Sequence, residues 1–99
     1  MVVLLTMDLP ISREDLEAVS SAMGIQDDPP DGLIAHVMTA TADGVHVVDI
    51  WESQDHFQQF NTARLGPTMQ TVFSERGVAL DGPPPEPTFD DAFDLVRGR

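Results

Sequence analysis

Residues Gly32 to Ile50 read GLIAHVMTATADGVHVVDI, with Trp51 directly after them. Two extended, β-branched halves flank an Asp43-Gly44 pair. Asp-Gly between such halves predicts a β-hairpin, because a two-residue type I′ loop needs positive φ at both positions. With Asp43-Gly44 as the loop, Ala42 pairs with Val45, Met38 faces Asp49 and His36 faces Trp51. Alternation then puts His36, Met38, Ala40, Val47, Asp49 and Trp51 on one sheet face, and Ala35, Val37, Thr39, His46, Val48, Ile50 and Glu52 on the other. His36 and Asp49 become diagonal neighbours, roughly 6–8 Å apart between Cβ atoms. A slip of one residue in one strand would separate them.

Working outward, Val2 to Met7 (VVLLTM) predicts a buried strand that stops at Asp8-Leu9-Pro10. Ser12 suits a helix N-cap, with Glu14 and Asp15 at the positive end of the helix dipole. Leu16, Val19 and Met23 form one apolar stripe, and Gly24 is placed to end the helix. Gln26 to Asp31 (QDDPPD) is a polar loop. Ser53 is the next N-cap, ahead of Phe57 and Phe60. Gly66-Pro67 predicts an interruption and a new helical segment, with Met69, Val72 and Phe73 on its apolar face and Gly77 at its end. Asp81 to Pro87 reads as a stiff loop. Thr88 to Val96 predicts a last strand with Phe89, Phe93 and Leu95 on one side, against which three aspartates weigh. The order is β-α-β-β-α-β, the ferredoxin-like α+β arrangement with an antiparallel sheet.

Composition bounds the rest. Ninety-nine residues make one domain, expected over 1–99, and 41% hydrophobic content supplies its core. Seventeen acidic against five basic residues give a formal charge of −12, which excludes nucleic-acid binding and disfavours anionic membrane. No cysteine is present, so there is no disulfide, thiolate nucleophile or thiolate zinc site. The longest apolar run, Val2 to Leu5, is far too short for a membrane span or a signal core, and a cytoplasmic chain is expected. No phosphate-binding glycine loop, GxSxG element or His-x-x-x-His pair occurs. The carboxylates of Asp27, Asp28 and Asp31 lack calcium-loop spacing and read as a solvated turn. His46 and His56 read as solvated, and Met23, Met38 and Met69 as core fillers or pocket lining.

Two readings fit His36 with Asp49. The pair is a satisfied polar contact at a sheet edge, or His36 is an acid or base whose tautomer Asp49 sets; imidazole suits that work because its unperturbed pKa is about 6.5. Trp51, the single tryptophan, is a core anchor or an aromatic wall for a flat ligand. An enzyme or a carrier needs an enclosed cavity. A volume below about 100 Å³, under the usual ligand range of roughly 300–1,000 Å³, favours a pocketless accessory protein.

The segments Gly32-Leu33-Ile34-Ala35-His36-Val37, Val47-Val48-Asp49-Ile50-Trp51-Glu52-Ser53 and Phe57-x-x-Phe60 resemble the dimeric α+β-barrel superfamily, near its antibiotic-biosynthesis-monooxygenase-like group of small actinobacterial proteins. The likeness runs from the first strand to about Pro87. It implies a homodimer with facing sheets and a ligand pocket between sheet and helices. The superfamily holds cofactor-independent monooxygenases of aromatic polyketides, polyketide cyclases, lactone isomerases and haem-degrading enzymes. The haem-degrading branch carries a tryptophan and a histidine on its second helix, where this chain has Phe60 and Gln70. Quinone-forming monooxygenases match at Trp51, but Val47 and Phe57 replace their accompanying polar residues. What remains distinctive is His36 with Asp49 on the same face as Trp51, a constellation that points to a cofactor-free enzyme acting by proton transfer, of cyclase or isomerase type, with a monooxygenase or a non-catalytic ligand-binding or accessory dimer as alternatives. His36 and Asp49 are its expected catalytic pair, and Trp51, Met38, Phe57 and Phe60 line a site for a mostly apolar small molecule. No metal or organic cofactor is required.

Overall fold

The computed structural model describes residues 1–79 and 85–98. Its elements are β1 (Val3–Leu9), α1 (Arg13–Met23), β2 (Leu33–Thr41), β3 (Gly44–Trp51), α2 (Gln54–Phe60), a π-helical turn (Asn61–Leu65), α3 (Gly66–Arg76) and β4 (Thr88–Asp91). The four strands form one antiparallel sheet in the order β2-β3-β1-β4, which is the ferredoxin-like α+β fold expected from the element order.

Periodicity decides what the sheet buries. Val3, Leu5 and Leu9 of β1 and Val45, Val47 and Trp51 of β3 are buried, and all project to one face. Leu16 and Val19 of α1, Phe57 of α2, and Val72 and Phe73 of α3 complete this core. The Ser12 hydroxyl accepts from the Asp15 amide and Gly24 ends α1 in the left-handed conformation, both as the sequence predicts. Arg76 Nε donates to Asp15 Oδ1 at 2.7 Å and ties α3 to α1.

The structure corrects the sequence reading in four places. The hairpin loop is Ala42-Asp43, closed by the Thr41–Gly44 pair, and not Asp43-Gly44. Among the described residues no non-glycine residue has positive φ, so the loop is not of the primed type. Gly44 instead stands at the start of β3 with φ +156°, where a Cβ would collide with the Leu9 carbonyl oxygen. Its missing side chain serves the close approach of β1 and β3. Register therefore moves by two residues, and His36 faces Asp49 directly instead of Trp51. An even shift preserves the faces. A bulge between Leu33 and Ala35 then returns Leu33 to a position opposite Trp51.

The second helix is not broken at Gly66-Pro67. The Gly66 amide donates to Asn61 O five residues back, and this π turn carries the chain into α3 with Pro67 in its first turn. β1 runs past its expected stop to Leu9, because Leu9 still pairs with Val45. β4 is shorter than expected. Its pairing with β1 ends at Val3–Asp91, followed by one bond from the Ala92 amide to Val2 O, so Phe93 is exposed instead of sharing a side with Phe89. Of the predicted loop Asp81 to Pro87, residues 81–84 lie outside the described residues.

Candidate active site

The site is built on the helix-covered face of the β2–β3 hairpin. Asp49 lies on the inner strand β3 between the apolar side chains of Val47 and Trp51, and it is the one buried charged residue among those described. Burial of a carboxylate is costly unless both oxygens find donors. They do. His36 Nδ1 is 2.6 Å from Oδ1, and Trp51 Nε1 donates to Oδ2 at 3.1 Å. The indole bond went unforeseen from sequence, although two residues at i and i+2 on a strand share a face and supply the signal.

The contact fixes the chemistry of the ring. An ionised carboxylate only accepts, so Nδ1 carries the proton in neutral His36 and Nε2 keeps its lone pair. β2 is an edge strand and His36 is exposed as a whole residue, yet its side chain is only 27% exposed, against 8% for Asp49. An imidazole held from behind by a buried carboxylate is an arrangement that can accept a proton at its other nitrogen.

The expected apolar residues gather around this pair. The Trp51 ring meets Phe57 edge-on at 5.6 Å and Phe60 at 5.4 Å between centroids, and Phe57 meets Phe89 at 5.6 Å. Trp51 is 1% exposed, so it is a core anchor that also presents one surface to a cavity. His36, Asp49, Trp51, Met38, Phe57 and Phe60 all line that cavity, and so do Met7, Met23 and Met69. Its volume is about 60 Å³. That is room for a water or two and not for a fused-ring ligand, which falls on the accessory side of the size criterion above. Four unbranched methionines in the wall are the side chains most able to give way.

The remaining polar residues lie apart. His46 Nδ1 is 2.7 Å from Asp8 Oδ1 on the opposite sheet face. His56 Nδ1 is 2.6 Å from Ser53 Oγ, at the N-terminus of α2. Neither histidine is merely solvated, and neither lines the cavity beside His36. Gln70 is exposed on α3. Arg64, from the π turn, donates to Met23 O at 2.9 Å and so braces the end of α1; sequence gave no sign of it. Among the described residues, no three histidine or acidic side chains are grouped to hold a metal ion. No described helix is long and apolar enough to cross a membrane.

The sequence matches no protein-family model and no curated protein. Solved structures do match in fold. Rv0793 from Mycobacterium tuberculosis is 19% identical, with 97% of this chain and 98% of that one covered, at a TM-score of 0.61. SnoaB, a cofactor-independent oxygenase from Streptomyces nogalater, is 15% identical over 96% of this chain and 94% of its own, at 0.56. The monooxygenase from the gene ActVA-Orf6 of Streptomyces coelicolor, solved with nanaomycin D, is 19% identical over 99% and 91%, at 0.52. The resemblance read from the sequence thus holds at the level of the fold, and monooxygenases of antibiotic biosynthesis share it.

Proposed function

We propose that this chain, a single domain over residues 1–99, is a cofactor-independent enzyme that moves a proton on a mostly apolar, aromatic or polyketide-like substrate. His36 is the base, Asp49 sets its tautomer, and Trp51, Met38, Phe57 and Phe60 contact the substrate. One observation carries the reading: a buried carboxylate bound to an imidazole whose other nitrogen is left with its lone pair, beside an apolar cavity. Removing a proton from carbon next to a carbonyl, or from a phenol, gives an enolate or phenolate stabilised by the substrate's own π system. Such a step asks for no metal or organic cofactor. Attack by that carbanion within the molecule makes a cyclase or isomerase. Its reaction with dioxygen makes a monooxygenase, a variant supported by the activities named for SnoaB and the ActVA-Orf6 protein.

Two copies are proposed to pack through the face of the sheet away from the helices. The support is its partly exposed apolar row of Leu4, Val48 and Ile50 with Val37, which is 52% exposed, and the exposed Phe93 and Val96 in the C-terminal segment. A protein of this size gains most by covering such a face with a second copy. Sedimentation should give twice the 10.8 kDa chain mass, and Val37→Glu should shift it to the single chain.

The small cavity favours a second reading, an accessory dimer with no ligand. An anthrone separates these readings. Its methylene is flanked by two aromatic rings and a conjugated carbonyl, so a base removes a proton and solvent returns one. Under nitrogen in D₂O, wild type should accelerate exchange of that methylene, and His36→Ala should not. In air, a monooxygenase would consume one O₂ per anthrone, converting CH₂ to C=O and releasing one water. Equal exchange by the two proteins would remove His36 from the mechanism.

A further inference from the structure

The inner cavity shares part of its wall with a second space. A second depression, of about 660 Å³, opens to solvent between the C-terminal half of α1, the loop after it, and β2. Ser20, Ile25, His36 and Met38 border both spaces, so the imidazole stands at their junction. The outer groove falls within the usual volume of a small-molecule site, roughly 300–1,000 Å³, and the inner cavity does not. A ligand that reaches Nε2 therefore places its reacting edge inward and most of its body in the groove.

The outer lining mixes apolar and polar side chains, and its carboxylates give it one sign of charge. Its charged side chains are Glu17 and Asp27, and its neutral polar ones are Ser20, Ser21 and Gln26. Among the described residues, no lysine or arginine lines it. The neighbouring cations are engaged: Arg13 Nε is 2.6 Å from Glu17 Oε1, and Arg64 donates to Met23 O and lies 3.8 Å from Asp28 Oδ2. From this we infer that the groove is the outer half of the ligand site and that it selects amphiphiles with a neutral or cationic polar end, rejecting anionic ones. The inference rests on the reading of His36 as the base, whose substrate class it narrows. Hydroxyl, amide and ammonium groups find acceptors there; a carboxylate or a phosphorylated carrier meets the Asp27 carboxylate, while Arg13 is already held by Glu17.

Three naphthalene probes with one ring system and different ends test it: 2-(1-naphthyl)ethanol, 2-(1-naphthyl)ethylamine and 1-naphthylacetate. Affinity is read by calorimetry and position by the ¹³C-methyl signal of Met38, which borders both spaces. Expected are binding of the alcohol and amine with a Met38 shift, and an acetate Kd on the order of tenfold weaker, the scale of a like-charge contact in a partly solvated site. The gap should shrink in 0.5 M salt, and in the Glu17→Gln/Asp27→Asn variant, whose two substitutions are at exposed side chains. Equal affinities for the three probes would overturn the inference, as would a gap unchanged by the double variant. Binding that leaves Met38 unmoved would also overturn it. The base reading fails separately: if His36→Ala keeps the anthrone exchange while the probe order holds, the groove stands and the base falls. If no probe binds while wild type exchanges the anthrone and His36→Ala does not, the groove falls and the base stands.

Discussion

Replacing Asp49 by asparagine separates the two tasks of the carboxylate. In the native site, two N–H groups point at two oxygens, at 2.6 and 3.1 Å. An amide of the same shape offers one acceptor and one donor pair. The Trp51 Nε1–H can only donate, and its ring is 1% exposed and packed against Phe57 and Phe60, so it cannot turn away. The asparagine oxygen must therefore face Trp51, and its NH₂ must face His36. Nδ1 then becomes an acceptor, and the ring proton moves to Nε2. No group is left unpaired, yet the lone pair that would take a substrate proton is gone.

The stability cost follows from the same count. Two hydrogen bonds to a charged acceptor, each worth about 1.5–3 kcal/mol, become neutral ones worth about 0.5–1.5 kcal/mol. Part of that loss is returned, because a buried charge no longer has to be desolvated. A net destabilisation of about 1–2 kcal/mol is expected, or roughly 4–16 °C in Tm for a domain of this length. Proton transfer should fall far more, by about 10²–10⁴, the range spanned by general-base loss and by tautomer reversal in a triad. Imidazole ¹⁵N–¹H correlation spectra are the direct assay. Wild type should show His36 protonated at Nδ1, and Asp49→Asn should show it protonated at Nε2. A native ring protonated at Nε2, or a variant that exchanges the anthrone methylene at the wild-type rate, would refute the reasoning.

Other expectations use the same geometry. Trp51→Phe leaves Asp49 Oδ2 buried without its donor and should cost about 1–3 kcal/mol in urea unfolding beyond the loss of ring volume. Gly44→Ala drives a Cβ into the Leu9 carbonyl and should destabilise the fold by at least about 1–3 kcal/mol, whereas Gly98→Ala, whose Cβ meets nothing, should be neutral. The Asp15 carboxyl is held below its ordinary value, first by the hydrogen bond from Arg76 and then by that from Ser12. A depressed folded-state value means stability that is present above the ordinary 3.8 and is lost as pH falls through the lowered one. Thermal melts of Asp15→Asn should therefore show a shallower acid limb than wild type below about pH 4 and a lower Tm at neutral pH, since the tie to Arg76 is weakened.

What the sequence made legible was parity, and what it hid was distance. The alternation of apolar residues through β3 told which side chains share a face, and a two-residue error in register left that assignment intact. The error arose because Asp43-Gly44 carries the signature of a primed turn while Gly44 is needed for something local sequence does not encode, the approach of β1. The π turn hid for a related reason. Gly66-Pro67 breaks an α-helical ladder on local rules, and only the five-residue bond to Asn61 lets the axis continue. Cavity volume was illegible altogether. Apolar spacing shows which residues face inward, but the 60 Å³ that remains depends on how α1, α2 and the sheet close on one another.

The placement of Asp49 favours a working residue over a structural one. On β3 the inward positions are Val45, Val47, Asp49 and Trp51, and all four are buried. An aliphatic residue at position 49 would continue that row. A buried ion pair seldom adds stability over well-packed apolar groups of the same volume, so folding alone gives little reason for a carboxylate here. The site also takes on obligations. The carboxylate requires the indole N–H of Trp51, and it requires a histidine on the neighbouring edge strand, held through Nδ1, whose side chain borders both cavity and groove. Such a local conflict with an otherwise consistent core is where function is expected to sit. The proposed roles agree with the strands that carry them: a carboxylate that sets a tautomer is served by the inner strand β3, where water cannot compete for its oxygens, and a base would be served by the edge strand β2, where a substrate can arrive.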